Sequence, residues 1–187
     1  MMDKLETLRL LSRHRTNEIV ITTMTQTWIW PSITANADLD YPAYGVMGHA
    51  ASVGLGVAIG RPDRRVWILN GDGSQLMYLG SIASIVSAGA RNVVLFILQN
   101  DQYEMTGGQP IPGARRIDFA MVGKGLGMKN GYNFDSLSDL DAKLPGILKE
   151  EGPTIVALKI GTAEVANPRS PIMREEVRRF REVLARL

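Results

Sequence analysis

The sequence contains no cysteine and only two histidines, His14 and His49. Without cysteine, this chain cannot form a disulfide, a thiolate zinc site, an iron–sulfur cluster or a cysteine nucleophile. Two histidines are also too few for a multi-histidine metal site. These absences exclude several classes of metalloprotein and redox protein.

An excess of one charge and long apolar runs are missing as well. The 187 residues include 21 Lys and Arg against 19 Asp and Glu, and no basic stripe is interleaved with aromatic residues, so we expect no nucleic-acid partner. No apolar run approaches the roughly 20 residues that a membrane span needs, so we expect no membrane association. The N-terminal segment carries acids and arginines where a secretory signal would be apolar, which predicts a cytoplasmic protein.

The composition is sufficient for one folded domain. Hydrophobic residues make up 45% of the chain and charged residues 21%, which is typical of a protein that buries a core. We expect a single domain over 1–187, with its core at about 18–160 and a C-terminal helix at about 171–187. Ser170 and Pro171 are the expected cap of that helix. Five apolar residues should share one face of it: Ile172, Val177, Phe180, Leu184 and Leu187.

Strand and helix patterns alternate along the chain. Strands are predicted at 18–22, 65–70, 92–100, 129–134 and 154–160, of which 18–22 and 92–100 have the pattern of buried strands. Helices are predicted at about 5–11, 50–60, 73–89 (continuous), 118–127, 136–148 with Ser136 as N-cap, and 171–187. Such alternation predicts an α/β fold, doubly wound, with a mainly parallel sheet and helices on both faces.

Ligands of such sheets bind outside the carboxyl ends of the strands, where Asp72 follows the strand at 65–70. Its flanking glycines allow tight turns in which backbone N–H groups meet phosphate. An aspartate there would repel phosphate unless a divalent cation lay between them, which favours Asp72 as a metal ligand. An Asp-Gly turn with a capping role is the alternative.

Asn100 ends the next predicted strand, 28 residues after Asp72. That interval accommodates one helix and one returning parallel strand, so both side chains should reach the same edge of the sheet. A carboxylate, an amide oxygen and a nearby backbone carbonyl are oxygen ligands that suit Mg²⁺.

With these features the sequence resembles the thiamine diphosphate enzymes, whose diphosphate-binding domain carries a GDG motif followed by an asparagine after about this interval. The resemblance implies that Asp72, Asn100 and the backbone carbonyl of Gln102 hold Mg²⁺ beside thiamine diphosphate. The residues implied to contact the cofactor around this motif are Gly71, Gly73 and Ser74.

The stretch Gly45–Gly48 matches the G-x-hydrophobic-G turn of the same family. The resemblance implies that the Gly45 carbonyl and Gly48 border the aminopyrimidine, and that Met47 wedges between the two cofactor rings. A plain loop into the following helix is the alternative. Thr23 is implied as a further cofactor contact, although Thr25 stands where the family has a glycine turn.

Within the family, GHAASVGLGVAIG and TGGQP resemble the sulfopyruvate and phosphonopyruvate decarboxylases, and the overall match runs from Glu18 to Ile160. This implies a lyase that decarboxylates a small 2-oxo acid. His49 either faces that substrate or is structural.

The family's activating glutamate belongs to a separate pyrimidine-binding domain, for which the residues before the first predicted strand leave no room. Neither Glu18 nor Glu104 stands where the resemblance places that acid. We therefore expect a pyrimidine-binding partner subunit of similar size in a hetero-oligomer. Two alternatives stay open: a subunit of a carboligating or transketolase-like enzyme, and a noncatalytic binding or regulatory subunit on the same fold.

Overall fold

The computed structural model describes residues 1–45, 47–163 and 173–186. The helices in these ranges are α1 (Lys4–His14), α2 (Thr25–Ile29), α3 (Ala50–Gly60), α4 (Asp72–Met77), α5 (Gly80–Ser87), α6 (Phe119–Gly125), α7 (Leu137–Ile147) and α8 (Met173–Arg186). The strands are β1 (Ile19–Thr23), β2 (Asp40–Ala43), β3 (Val66–Gly71), β4 (Val93–Gln99), β5 (Gln102–Tyr103), β6 (Gln109–Pro110), β7 (Asn130–Phe134) and β8 (Thr154–Lys159).

Six of these strands form one sheet in the order β2-β1-β3-β4-β8-β7, and every neighbouring pair is parallel. The strand order reverses between β1 and β3, because β1 is followed outwards by β2 whereas β3 is followed by β4 in the opposite direction. Ligands of open α/β sheets bind at such a switch point. The predicted doubly wound α/β fold is confirmed.

Side chains that alternate along the central strands build two apolar cores, one on each face of the sheet. Ile68 and Leu95 belong to the core that α3, α5, α6 and α8 cover. Trp67 and Phe96 lie on the other face beneath α1, α2 and α7, with their ring centroids 5.4 Å apart. The alanine- and glycine-rich α3 packs closely on its face, since a Cβ at Gly54 would lie 2.4 Å from the Ile68 side chain.

The continuous helix predicted over 73–89 is wrong, because the structure ends α4 at Met77 and begins α5 at Gly80. The Tyr78 carbonyl between them accepts hydrogen bonds from the Ser81 hydroxyl at 2.7 Å and from the Gln75 side-chain amide at 3.3 Å. The Ser81 N–H also donates to this carbonyl, at 3.1 Å, so a three-residue turn reinforced by polar side chains interrupts the α-helical bonding.

Two elements between the first and second predicted strands were not predicted, namely α2 and the edge strand β2. The Ser136 cap is confirmed, with its hydroxyl accepting the Asp139 N–H at 3.4 Å. Phe180 is buried in α8, whereas Val177 and Leu184 are half-buried. The Ser170-Pro171 cap, Ile172 and Leu187 lie outside the described residues. Within the described ranges, no helix is both long and apolar enough to cross a bilayer.

Candidate functional site

A cleft opens at the carboxyl edge of the sheet, at the switch point between β1 and β3. Its lining residues are Met24, Thr25, Gln26, Met47, Gly71, Asp72, Gly73, Ser74, Leu98, Asn100, Gln102, Tyr103, Glu104 and Met105. Most of the predicted site residues are thereby brought together. A larger open cavity at the amino edge, bordered by Arg65 and Asn92, includes none of them.

Asp72 is the buried carboxylate of this cleft, with only 2% of its surface exposed. Its two oxygens accept the backbone N–H groups of Gly73 at 2.8 Å and Asp101 at 2.6 Å. Burial raises the pKa of Asp72 to about 6, against the opposing effect of these backbone hydrogen bonds. None of the ion pairs in the described part of the chain includes Asp72. The carboxylate is therefore buried without a cation to compensate it.

The turn after β4 brings Asn100 and Gln102 beside Asp72. Asp101 adopts a left-handed conformation with a φ of 62°, which turns its N–H towards Asp72. Its side chain holds this turn by accepting hydrogen bonds from the Gln99 amide and the Arg115 N–H, both at 3.0 Å. The Asn100 side-chain oxygen accepts the Gln102 N–H at 3.2 Å. Asp72 and Asn100 thus share one edge, as their interval predicts.

This donor set fits Mg²⁺. One buried, uncompensated carboxylate and neutral amide or carbonyl oxygens are what Mg²⁺ takes when phosphate and water oxygens complete its octahedron. The described residues hold no cluster of three or more Asp, Glu or His side chains. A cation here would therefore need further oxygen ligands, such as phosphate or water oxygens.

Gly73 is packed beneath the β5–β6 hairpin. A Cβ at this position would lie 2.6 Å from the Tyr103 ring and 3.1 Å from the Ile111 side chain. Only a glycine lets the hairpin approach the start of α4 this closely, so the GDG motif is adapted to a covering loop as well as to a turn.

The turn at Gly45–Gly48 is joined directly to the GDG segment. The Gly48 N–H donates to the buried Ser74 hydroxyl at 2.9 Å, which links positions 26 residues apart. Gly45 is exposed with a φ of 65°, and the half-buried Met47 borders the cleft. The two motifs identified separately in the sequence form one constellation.

Four predicted site residues lie outside the cleft lining, namely Thr23, Gly45, Gly48 and His49. Thr23 is fully buried, and its hydroxyl donates to the Ala43 carbonyl at 3.4 Å. His49 is exposed, with its ring centroid 5.8 Å from that of Tyr78 and its Nδ1 3.1 Å from the Met47 carbonyl oxygen. Neither side chain meets Asp72 or Asn100 in the described hydrogen bonds.

Met24 and Lys4 are among the residues whose contribution to the cleft was not predicted from the sequence. Met24 lines it with a φ of 55°, so the left-handed turn after β1 falls on Met24 while Thr25 begins α2. Lys4 reaches Glu104 and Thr25 from α1. A signal for Lys4 existed: it shares a helical face with the apolar residues Leu8 and Leu11.

Known proteins are similar to this chain in sequence and in fold. The model of the thiamine pyrophosphate enzyme family, C-terminal TPP binding domain, matches residues 22–158. A phosphonopyruvate decarboxylase of Streptomyces hygroscopicus is 39% identical over 147 residues, which cover 78% of this chain and 36% of that protein. The sulfopyruvate decarboxylase subunit beta of Methanothermobacter thermautotrophicus is 31% identical over 171 residues, which cover 88% of this chain and 86% of the subunit.

The crystal structure of benzoylformate decarboxylase from Polynucleobacter necessarius superposes with a TM-score of 0.72 at 22% identity, over 87% of this chain and 34% of that one. At that identity the similarity shows the fold. The chain spans about a third of the phosphonopyruvate decarboxylase that it matches. Since the family model covers most of the chain, this protein belongs to the thiamine pyrophosphate enzymes, as their C-terminal TPP binding domain.

Proposed function

We propose that this chain is the thiamine diphosphate- and Mg²⁺-binding subunit of a 2-oxo acid decarboxylase that requires a pyrimidine-binding partner subunit. The observation that carries the proposal is the buried, uncompensated Asp72 beside Asn100 and Gln102 at the switch point. Family membership and the two decarboxylase relatives support it.

In this proposal Asp72, the Asn100 side chain and the Gln102 carbonyl hold Mg²⁺, while Gly71, Gly73 and Ser74 border the diphosphate. The cation would offset the charge that burial makes costly on Asp72. It would also neutralise part of the phosphate charge, so that a carboxylate and a diphosphate can occupy one cleft.

When bound, thiamine diphosphate supplies the carbon nucleophile and the electron sink that decarboxylation of a 2-oxo acid requires. The chain itself contributes shape and a water-poor wall. Met24, Met47, Leu98 and Met105 give the cleft an apolar lining. Thioethers adapt to a bent ligand, which suits Met47 to the cofactor rings, while the Gly45 carbonyl is assigned to the aminopyrimidine. The other implied site residues border this wall: Thr23 is buried against Ala43, Gly48 is bonded to Ser74, and His49 lies on Tyr78.

The need for a partner follows from the acids available. Within the described residues, Asp72 and Glu104 are the two acids that line the cleft. Asp72 is assigned to the metal, and Glu104 is ion-paired with Lys4. We therefore assign the activating carboxylate for the aminopyrimidine to the partner subunit.

The surface next to the cleft suits such a partner. No Asp, Glu, Lys or Arg occurs in 50–60 or 73–90, the segments that contain α3, α5 and the part of α4 that follows Asp72. Large apolar side chains are nevertheless exposed near the cleft, namely Met77 at 59% and Tyr78 at 46%. Depletion of charge together with exposed aromatic and methionine residues is typical of the centre of a protein interface.

The test starts with isothermal titration of the purified chain with thiamine diphosphate, in Mg²⁺ and in EDTA. The tagged chain is then purified gently from its host, and CO₂ release from sulfopyruvate and phosphonopyruvate is measured with and without the co-purifying subunit. Asp72→Ala is the control for the site. We expect Mg²⁺-dependent binding, little turnover by the chain alone, and CO₂ release by the complex.

Robust decarboxylation by the pure chain would contradict the partner requirement. A complex that binds the cofactor but releases no CO₂, and forms a new carbon–carbon bond when an acceptor aldehyde is added, would indicate the carboligating alternative. No binding in any combination would favour a noncatalytic subunit.

A further inference from the structure

Lys4 is a buried lysine, with only 1% of its side chain exposed. Its Nζ donates to the Thr25 hydroxyl oxygen at 3.1 Å and forms an ion pair with the Glu104 carboxylate. Glu104 also accepts the Thr25 hydroxyl at 3.0 Å and the Ala163 N–H at 3.1 Å. Three donors from three separate segments therefore hold one carboxylate.

These segments meet at the cleft, but Lys4 does not belong to the matched family domain. The family model begins at residue 22, whereas α1 ends at His14. Thr25 and Glu104 both line the cleft, and Glu104 follows directly after Tyr103, the residue packed on Gly73. An element outside the family domain thus reaches the loop that covers the GDG motif.

We propose that Lys4 is a positioning residue for the cofactor cleft: by holding Glu104, it fixes the loop 102–106 and so keeps the Gln102 carbonyl and Tyr103 against the Asp72–Ser74 segment. The inference rests on the proposed function, since it gives this loop a role in binding Mg²⁺ and thiamine diphosphate. Lys4 touches no reacting atom and acts through Glu104.

The physical reason is the charge of Glu104. A part-buried carboxylate close to Asp72 and to a diphosphate would be repelled into solvent if it were unpaired, and the loop would move with it. Pairing with Lys4 makes the two side chains neutral together. Buried ion pairs add little to stability compared with apolar residues, so we expect this pair to serve geometry more than stability.

The test compares the wild type with Lys4→Met, Glu104→Gln and the double variant, which removes both charges at once. Arg15→Met is the matched control. Arg15 makes a buried ion pair with Asp40, with an N–O distance of 2.7 Å, at the opposite edge of the sheet from the cleft. Two readouts are measured. Amide hydrogen exchange without cofactor monitors the Gly108 N–H, bonded to the Tyr103 carbonyl at 3.0 Å, and the Ile111 N–H, bonded to the Asp101 carbonyl at 3.1 Å. Isothermal titration gives the affinity for thiamine diphosphate in Mg²⁺.

For Lys4→Met and Glu104→Gln we expect exchange at Gly108 and Ile111 to accelerate at least about tenfold relative to β4, and the affinity to fall at least about tenfold. The double variant should return both values to within about threefold of wild type, because no unpaired charge is left. Arg15→Met should leave both unchanged.

The inference is overturned if Lys4→Met behaves like Arg15→Met in both readouts, or if the double variant is as impaired as the single ones. A wild type that binds no thiamine diphosphate in Mg²⁺ would instead count against the proposed function. In that case hydrogen exchange still decides whether Lys4 fixes the loop.

Discussion

The two edges of the sheet use the same residue types differently. At the amino edge, Asp40 is paired with Arg15 at 2.7 Å, so its buried charge has a cation beside it. At the carboxyl edge, Asp72 is more deeply buried and accepts only backbone N–H groups among the described contacts. Burial raises the pKa of both carboxyls, but only Asp40 has an arginine to oppose the shift. The uncompensated carboxylate is the one that needs a ligand.

Two asparagines that flank β4 repeat the contrast. The Asn92 amide precedes the strand and donates to the carbonyls of Ala58, Arg61 and Arg64 at 2.8–3.1 Å. Asn100 follows the strand, and its side chain accepts one N–H, from Gln102. The polar side chains at the amino edge thus bond to the protein itself, whereas Asn100 at the carboxyl edge has hydrogen-bonding capacity left for a ligand.

The largest expected effect comes from removing the charge of Asp72, with removal of the charge of Asp40 as the comparison. Asp72→Asn should weaken Mg²⁺-dependent binding of thiamine diphosphate at least about a thousandfold, since it removes the charged ligand of the proposed metal site. Asp40→Asn should leave the affinity unchanged and lower the free energy of unfolding by about 3 kcal/mol, because Arg15 loses its buried partner. Titration calorimetry and urea unfolding measure the two effects. Equal affinities for the two variants would remove Asp72 from the site.

The pH dependence of stability is expected to differ as well. The pKa of Asp72 rises from 3.8 to about 6 on folding, so the folded chain binds more protons than the unfolded chain between these values. The contribution of Asp72 to the free energy of unfolding is therefore fully present below pH 3.8 and is lost as the pH rises through about 6. The loss amounts to at most about 3 kcal/mol. Urea unfolding of wild type and Asp72→Asn without Mg²⁺ should show the variant gaining relative stability from pH 5 to pH 8. Parallel pH profiles would contradict this assignment.

The asparagine pair should separate binding from stability on a smaller scale. Asn92→Ala leaves three carbonyls without their donor and should cost about 2 kcal/mol of unfolding free energy at unchanged cofactor affinity. Asn100→Ala should lower the affinity about tenfold and change the unfolding free energy by less than about 0.5 kcal/mol. Each variant is the control for the other. The same pattern of loss in both would mean that the edges do not differ in function.

The smallest effect is expected at His49. Its ring is exposed and lies on Tyr78, outside the cleft lining. His49→Ala should change the affinity for thiamine diphosphate by less than about twofold and the unfolding free energy by less than about 0.5 kcal/mol. Calorimetry and urea unfolding test this prediction. A loss of affinity comparable to that of Asn100→Ala would place His49 at the cofactor after all.

Local sequence patterns were sufficient to predict the central strands and the type of sheet. Continuous β-branched and aliphatic runs predicted the central strands, and strand–helix alternation predicted the parallel sheet, because a parallel crossover requires an intervening element. The 28-residue interval from Asp72 to Asn100 predicted their shared edge for the same reason. Patterns failed at β2, whose four residues DYPA resemble no isolated strand and pair only because β1 offers a free edge.

The alternation of strands and helices, the two cores and the meeting of Asp72 with Asn100 were determined by the sequence, because hydrophobic period and crossover length are local properties. The tertiary structure alone decided the break at Tyr78, the left-handed turn at Met24 and the contact of Lys4 with Glu104. The last of these depends on side chains that meet only after the sheet has formed. Lys4 lies 100 residues from Glu104 along the chain, and a charge becomes costly enough to require a partner only once it is buried.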